Sequence, residues 1–89
     1  MTLPAGLVVL SRAGCHLCEQ MLEELAALEL AGRIPPATIL DVDSDQALAR
    51  QYGLKVPVLL LDGSVICHYT LNSQELLRLV SRPPAILPR

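Results

Sequence analysis

Two cysteines, Cys15 and Cys18, stand three positions apart where an apolar run gives way to a helical pattern. Leu7 to Leu10 reads as a short buried strand, Ser11 to Gly14 as a turn, and residues from about His16 onward as a helix. A thiol at a helix start faces backbone N–H groups that lack partners and the positive end of the helix dipole. Both favour thiolate over thiol. A second thiol one turn later can attack a mixed disulfide formed at the first and release the bound partner. The pair therefore suits reversible thiol–disulfide exchange. Cys15, nearer the helix start, is the expected nucleophile, and Cys18, beside the negative charge of Glu19, the expected resolving thiol.

Other residues bear on that chemistry. Arg12 precedes Cys15 by three positions, where its charge would favour a thiolate or attract an anionic substrate; the alternative is an ordinary solvated loop residue. His16 lies in the first helical turn, and a cationic imidazole there would stabilise the reduced thiolate form. Cys67 alternates with Val65 and Tyr69 on one face of a strand and reads as a buried structural thiol. Glu19, Glu23, Glu24 and Glu29 have no lysine partners on their helix. They read as a solvated face, with a docking patch for a basic partner as the alternative. A zinc site would need four ligands, and beyond the pair only His16, His68 and Cys67 are candidates, with no second Cys-x-x-Cys.

Composition narrows the class. With 89 residues the chain is expected to form a single domain over residues 1–89, with a core that is aliphatic because only 2% of residues are aromatic against 52% hydrophobic. A net charge of −2 and the lack of a basic run argue against nucleic acid as a partner. No apolar stretch approaches the roughly 20 residues a membrane-spanning helix requires. The first basic residue, Arg12, follows the first apolar segment rather than preceding it, unlike a secretory signal, so a cytoplasmic location is expected. In that compartment a Cys pair is catalytic or metal-binding more often than structural.

The elements that must position the pair can be read along the chain. Leu17, Met21, Leu25 and Leu28, widened by Leu22, form an inward stripe on the first helix, which Ala31-Gly32 and Pro35-Pro36 end. Thr38 to Val42 is an apolar strand without alternation, as for one covered on both faces. Asp43 with Gln46 predicts a capping box for a helix from Ser44 to Tyr52, closed by Gly53. Val58 to Leu61 and Val65 to Tyr69 are strands joined by a hairpin turn at Asp62-Gly63. Asn72 with Glu75 predicts a second capping box, opening a helix to about Ser81 with Leu76, Leu77, Leu79 and Val80 inside; Pro83-Pro84 ends it, and a loosely held tail comes after. The order β-α-β-α-β-β-α gives an α/β fold, a mixed four-stranded sheet with helices on both faces.

This order, with Cys-x-x-Cys after the first strand and Val56-Pro57 before the hairpin, resembles the thioredoxin fold in its small glutaredoxin-like form. Glutaredoxins typically carry a stretch like Ser-Lys-Pro-Gly-Cys-Pro-Tyr-Cys, and this chain reads Ser11-Arg12-Ala13-Gly14-Cys15-His16-Leu17-Cys18. The segment Tyr52 to Leu59 is similar to that of small bacterial glutaredoxin-like proteins. The resemblance implies a thiol–disulfide oxidoreductase with Cys15 and Cys18 as catalytic residues. It also implies a cis bond at Val56-Pro57 and a substrate site made by Arg12, His16, Leu17, Lys55, Val56 and Pro57. The cycle needs no bound cofactor or metal. Glutathione is a candidate reductant, and the substrate is a disulfide-containing protein or a small-molecule disulfide met by a monomeric enzyme. Two departures bear on glutathione: His16-Leu17 replaces the usual Pro-Tyr, and Cys67 to Asn72 stands where a Gly-Gly-x-Asp segment helps hold the tripeptide. Glutathione is therefore expected to bind weakly. The alternatives are a metal or iron–sulfur cluster protein and a thioredoxin-fold binding module without turnover.

Overall fold

The computed structural model describes residues 3–80, and its elements come in the order expected from the sequence. Strand β1 (Leu7–Ser11), helix α1 (His16–Leu30) and strand β2 (Thr38–Asp41) form a parallel β-α-β unit. A 3-10 turn (Val42–Ser44) leads into helix α2 (Gln46–Tyr52). Strands β3 (Val58–Leu61) and β4 (Ser64–His68) pair antiparallel, and helix α3 (Ser73–Val80) comes last. The sheet order is β2-β1-β3-β4, with β1 and β3 antiparallel at its centre.

Successive strand residues point to opposite faces, so the two central strands supply both sides of the core. Leu7, Val9 and Leu59 pack with Met21 and Leu25 of α1 and Leu76 of α3. Val8, Leu10, Val58 and Leu60 pack with Val42 and with Leu48 of α2. Helices α1 and α3 thus cover one face and α2 the other. Burial on both sides is why β1 and β3 are written as unbroken aliphatic runs. Each such side chain taken out of water contributes about 1.5–3 kcal/mol of transfer free energy.

Three expectations are corrected around this core. Strand β2 ends at Asp41, and it lies at the sheet edge with Thr38, Ile39 and Asp41 exposed rather than covered on both faces. Val42 leaves the strand because its side chain is taken into the core of the α2 face. Leu17, expected inside, remains 38% exposed, and the buried stripe of α1 runs instead from Cys18 through Met21 to Leu25. A residue one position away is turned about 100° round the helix, enough to carry Leu17 off that stripe. The capping box at Asp43 does not form. Helix α2 starts later, at Gln46, with the Asp45 carboxylate accepting from the Leu48 N–H at 3.1 Å.

The ends of the other elements show why they stop where they do. Helix α1 closes with Gly32 at φ +72°, the Gly32 N–H donating to Glu29 and the Arg33 N–H to Leu28 at 2.9 Å, the paired bonds of a Schellman motif. In the hairpin, Asp62 and Gly63 both take positive φ, 50° and 85°, as a type I′ turn requires. The Asp62 carboxylate also accepts from the Gly6 N–H at 2.7 Å, tying the turn to the start of β1. Asn72 accepts from the Glu75 N–H at 3.1 Å as expected, but the Glu75 carboxylate turns to Arg78 instead of completing the box. The expected helix end at Ser81, the Pro83-Pro84 stop and the tail lie outside the described residues.

Strand β4 carries a bulge. Leu59 pairs with Cys67 but Leu60 pairs with Val65, so the intervening Ile66 is extra. The bulge breaks the alternation expected of Val65, Cys67 and Tyr69. Cys67 and Ile66 both pack against the α1–α3 cluster, whereas Val65 is 48% exposed. Among the described residues, no helix is long and apolar enough to cross a membrane.

The packing predicts a sharp contrast between neighbouring β-strand positions. Leu59→Ala should lower the unfolding free energy by about 2–5 kcal/mol, and Val65→Ala by less than about 1 kcal/mol. Urea denaturation of both variants checks this. Similar losses would mean that the bulge does not sort the two faces in this way.

Candidate active site

The turn that carries the cysteines is set by its glycine. Gly14 takes φ +75°, and the Cys15 N–H donates back to the Arg12 carbonyl at 3.3 Å, so the chain reverses between β1 and α1. Cys15 becomes the N-cap of α1, in extended conformation, and its sulfur accepts the Cys18 N–H at 3.2 Å. A thiol has taken the place usually held by a serine or aspartate oxygen. The sulfur thus faces a backbone donor and the N-terminal end of the helix. Cys15 is half-buried and reachable from solvent.

Cys18 faces the opposite requirement. It lies on the inward stripe of α1 at 1% exposure, and burial pushes its thiol pKa up, with the hydrogen bond to Cys15 acting in the same direction. The Arg12 backbone N–H and the Ser11 hydroxyl hydrogen-bond the sulfur and partly oppose that rise. Both cysteines are unbridged, so the structure holds the dithiol form. One thiol is thus offered to solvent at a dipole end, and the other is kept protonated one turn deeper.

Pro57 completes the arrangement. The β1–β3 register ends with Leu10 opposite Val58, which sets the next residues, Ser11 and Pro57, side by side at one end of the sheet. The Val56-Pro57 bond is cis, as expected, and Pro57 is fully buried. Tyr69 supports this segment twice: its N–H donates to the Pro57 carbonyl at 2.9 Å and its hydroxyl to the Leu54 carbonyl at 3.1 Å. Tyr69 takes φ +69° to do so, a conformation uncommon for a bulky residue.

The remaining candidates divide. Leu17 and His16 sit exposed beside Cys15 in the first turn of α1, and a His16 ring nitrogen lies 3.4 Å from the Gln20 side-chain amide. Lys55 is exposed just before Val56. Arg12 is differently employed: its Nε and Nη2 grip the Asp43 carboxylate at 2.7 and 2.9 Å, and Nη1 donates to the Gly53 carbonyl at 2.9 Å. None of these bonds goes to a sulfur. The guanidinium beside Asp43 holds that carboxyl below the usual range, and Asp43 in turn raises Arg12. Arg12 thereby ties the Cys15 turn to the start and end of the α2 segment.

Sequence reasoning missed Ser11, Asp43, Gly53 and Tyr69 as parts of the site. Gly53 is required by space: a Cβ there would overlap the Ala49 carbonyl and crowd the Arg12 guanidinium. Asp43 left a faint signal, one of three acidic residues spaced by two (Asp41, Asp43, Asp45), more than the two caps in that stretch need. Cys67 is unbridged and packs against the α1–α3 cluster; burial pushes its thiol up, and the Asn72 N–H donates to it at 3.5 Å. Among the described residues, no three His, Cys, Asp or Glu side chains are gathered so as to hold a metal ion.

A dithiol at a helix start, with a cis proline just before the strand that pairs with the one leading into that helix, is the arrangement of a thioredoxin-like fold. Residues 6–81 match the family model of the glutaredoxin-like domain (DUF836), and the chain belongs to that family. Among solved structures it is similar to a protein from Nitrosomonas europaea determined by solution NMR. The identity is 33% and the TM-score 0.74, over 90% of this chain and 95% of that one. It is also similar to a protein from X. campestris determined by X-ray methods, with 29% identity and a TM-score of 0.68, over 89% of this chain and 100% of that one. No curated protein matches.

Two outcomes are expected of this geometry. Under limiting iodoacetamide, Cys15 should be modified before Cys18 and Cys67, read by peptide mass spectrometry; early labelling of Cys18 would contradict its burial. The Arg12–Asp43 pair should add stability above the ordinary carboxylate pKa and lose it as pH falls through the lower folded value, below about pH 4. Asp43→Asn lacks that component. Its urea midpoint should lie below wild type near neutrality and converge with it in acid.

Proposed function

We propose that this protein is a thiol–disulfide oxidoreductase in which Cys15 attacks and Cys18 resolves. The observation that carries the reading is the Cys15 sulfur at the N-cap of α1, accepting the Cys18 N–H at 3.2 Å, with the Cys18 thiol buried behind it. The Cys15 thiolate attacks one sulfur of a substrate disulfide; that S–S bond breaks and a substrate thiolate leaves. The mixed disulfide removes the negative charge from Cys15. Cys18 then loses its proton to the departing substrate and attacks the Cys15 sulfur, releasing the second substrate thiol. Two electrons pass from the dithiol to the substrate, and the Cys15–Cys18 disulfide formed must be re-reduced by glutathione or a reductase.

The burial of Cys18 gives the sequence of events a physical basis. A thiol kept protonated does not compete for the substrate, and it becomes a nucleophile only when the mixed disulfide stands next to it. The Val56 backbone before Pro57 would receive the substrate chain edge-on, like an added strand. Lys55, His16 and Leu17 flank that approach. Arg12 acts through position, by holding the turn, rather than through its charge. We place the reaction in the cytoplasm, with the protein acting as a monomer.

Glutathione fits this site poorly as a substrate. Tyr69 stands where glycines would let a tripeptide approach the backbone, and its side chain is bonded across to Leu54. A charge pair from Lys55 adds at most about 1 kcal/mol, less than several lost hydrogen bonds.

The deciding experiment compares reduction of a protein disulfide with that of a glutathione mixed disulfide. Cys15→Ser should abolish exchange. Cys18→Ser should accumulate a mixed disulfide visible on a non-reducing gel. The protein disulfide should be the better substrate by at least about tenfold, since loss of even two hydrogen bonds is of that order. Normal exchange in Cys15→Ser would overturn the assignment of the nucleophile.

A further inference from the structure

On the side of the Cys15 turn away from Pro57, a groove of about 310 Å³ opens between α1 and the edge strand β2. Its aliphatic lining comes from the side chains of Leu22 and Ile39, while Leu40 of β2 turns its own side chain to the α2 face. Ile39 pairs in register with Val9, whose side chain lies on the α1 face, so Ile39 stands on that face beside Leu22. It is nevertheless 59% exposed. The rim carries Glu19 and Asp41, and Glu23 comes one helical turn after Glu19. Among the described residues, none of these carboxylates is in an ion pair. The cation in the lining, Arg12, is already held by Asp43 and Gly53. The exchange reaction uses the Pro57 side of the turn and leaves this groove unused.

We propose that the groove seats an aliphatic side chain flanked by lysine or arginine on the substrate protein, next to the cysteine attacked by Cys15, so that the substrates are basic protein disulfides. This rests on the exchange activity proposed above. A groove of this volume accommodates one or two aliphatic side chains, and filling it withdraws Ile39 and Leu22 from water. The acidic rim selects the flanking charges. Charges at a rim act mainly on encounter rate and partner choice, and salt weakens them. A second copy of this chain is a poor occupant by the same argument, because its net charge of −2 meets an acidic rim.

The test uses two disulfide peptides of equal length, one with the cysteine flanked by leucine and two lysines, the other by leucine and two glutamates. Hydroxyethyl disulfide, small and neutral, serves as the control. The basic peptide should exchange faster than the acidic one by about tenfold at low salt, with the ratio falling toward one as salt rises. Ile39→Lys should remove most of that preference and Glu23→Gln part of it, each leaving the hydroxyethyl disulfide rate and the circular dichroism unchanged. The same peptides with serine in place of cysteine separate docking from chemistry. The basic one should shift the amide resonances of Leu22, Ile39 and residues 11–14, and the acidic one should not. Equal exchange rates with normal turnover of the control overturn the groove alone, as does the absence of those shifts. Failure of all three disulfides to exchange overturns the oxidoreductase reading, while the serine peptides still report on the groove. A dimer that Ile39→Lys dissociates would assign the groove to a second copy and overturn the proposal.

Discussion

The antiparallel pairing of β1 with β3 determines where every reactive group lies. Both strands are buried on both faces, so Leu7 to Leu10 and Val58 to Leu60 each serve two clusters at once. A slip of one residue would turn each side chain to the wrong face, and no solvated face is available to absorb the error. With that register fixed, Ser11 and Pro57 must emerge side by side at the same sheet end. The turn after Ser11 then delivers Cys15 to the start of α1, and the inward stripe of α1 carries Cys18 into the core. Packing on the sheet thus sets the relation of the thiols to the proline, with no direct bond between them.

Charge near the thiols is handled sparingly. The helix start supplies a backbone donor and a dipole end to Cys15, while the full positive charge closest in sequence is engaged by Asp43 and by a carbonyl. Arg12 works as a clamp between the cysteine turn and the α2 segment. Gly53, although well removed in the chain, belongs to that clamp because its carbonyl is one of the partners and its missing side chain leaves the room.

Much of this is legible from residues alone, and the failures have definite causes. The order of elements, the hairpin turn at Asp62-Gly63 and the Cys15–Cys18 pair depend on local signals and a short, well-marked spacing, whereas the relation of Cys15 to the distant Pro57 comes from the family resemblance. The edge position of β2 is not legible, because an apolar run such as Thr38 to Val42 looks the same at a sheet edge as at its centre. Leucine outweighs cysteine in a hydrophobic pattern, so the pattern favours Leu17 for the inward position that Cys18 holds. Asp43 resembles a cap since its actual partner, Arg12, lies 31 residues earlier and leaves no periodic trace. The bulge at Ile66 is invisible for a related reason: one extra residue in a strand changes no composition, only the parity of the residues beyond it.

That extra residue also governs how the protein behaves in a crowd of its own copies. β4 is one outer margin of the sheet, and a straight outer strand is an open template onto which another chain can continue the ladder. The step in register between Leu59 and Leu60 interrupts the even spacing of donors and acceptors such an addition needs. The opposite margin, β2, is only four residues long and ends in an aspartate, which a like-charged neighbour would meet unfavourably. A sheet built from long aliphatic runs, and therefore prone to polymerise, is in this way given two poor edges and held to a finite size.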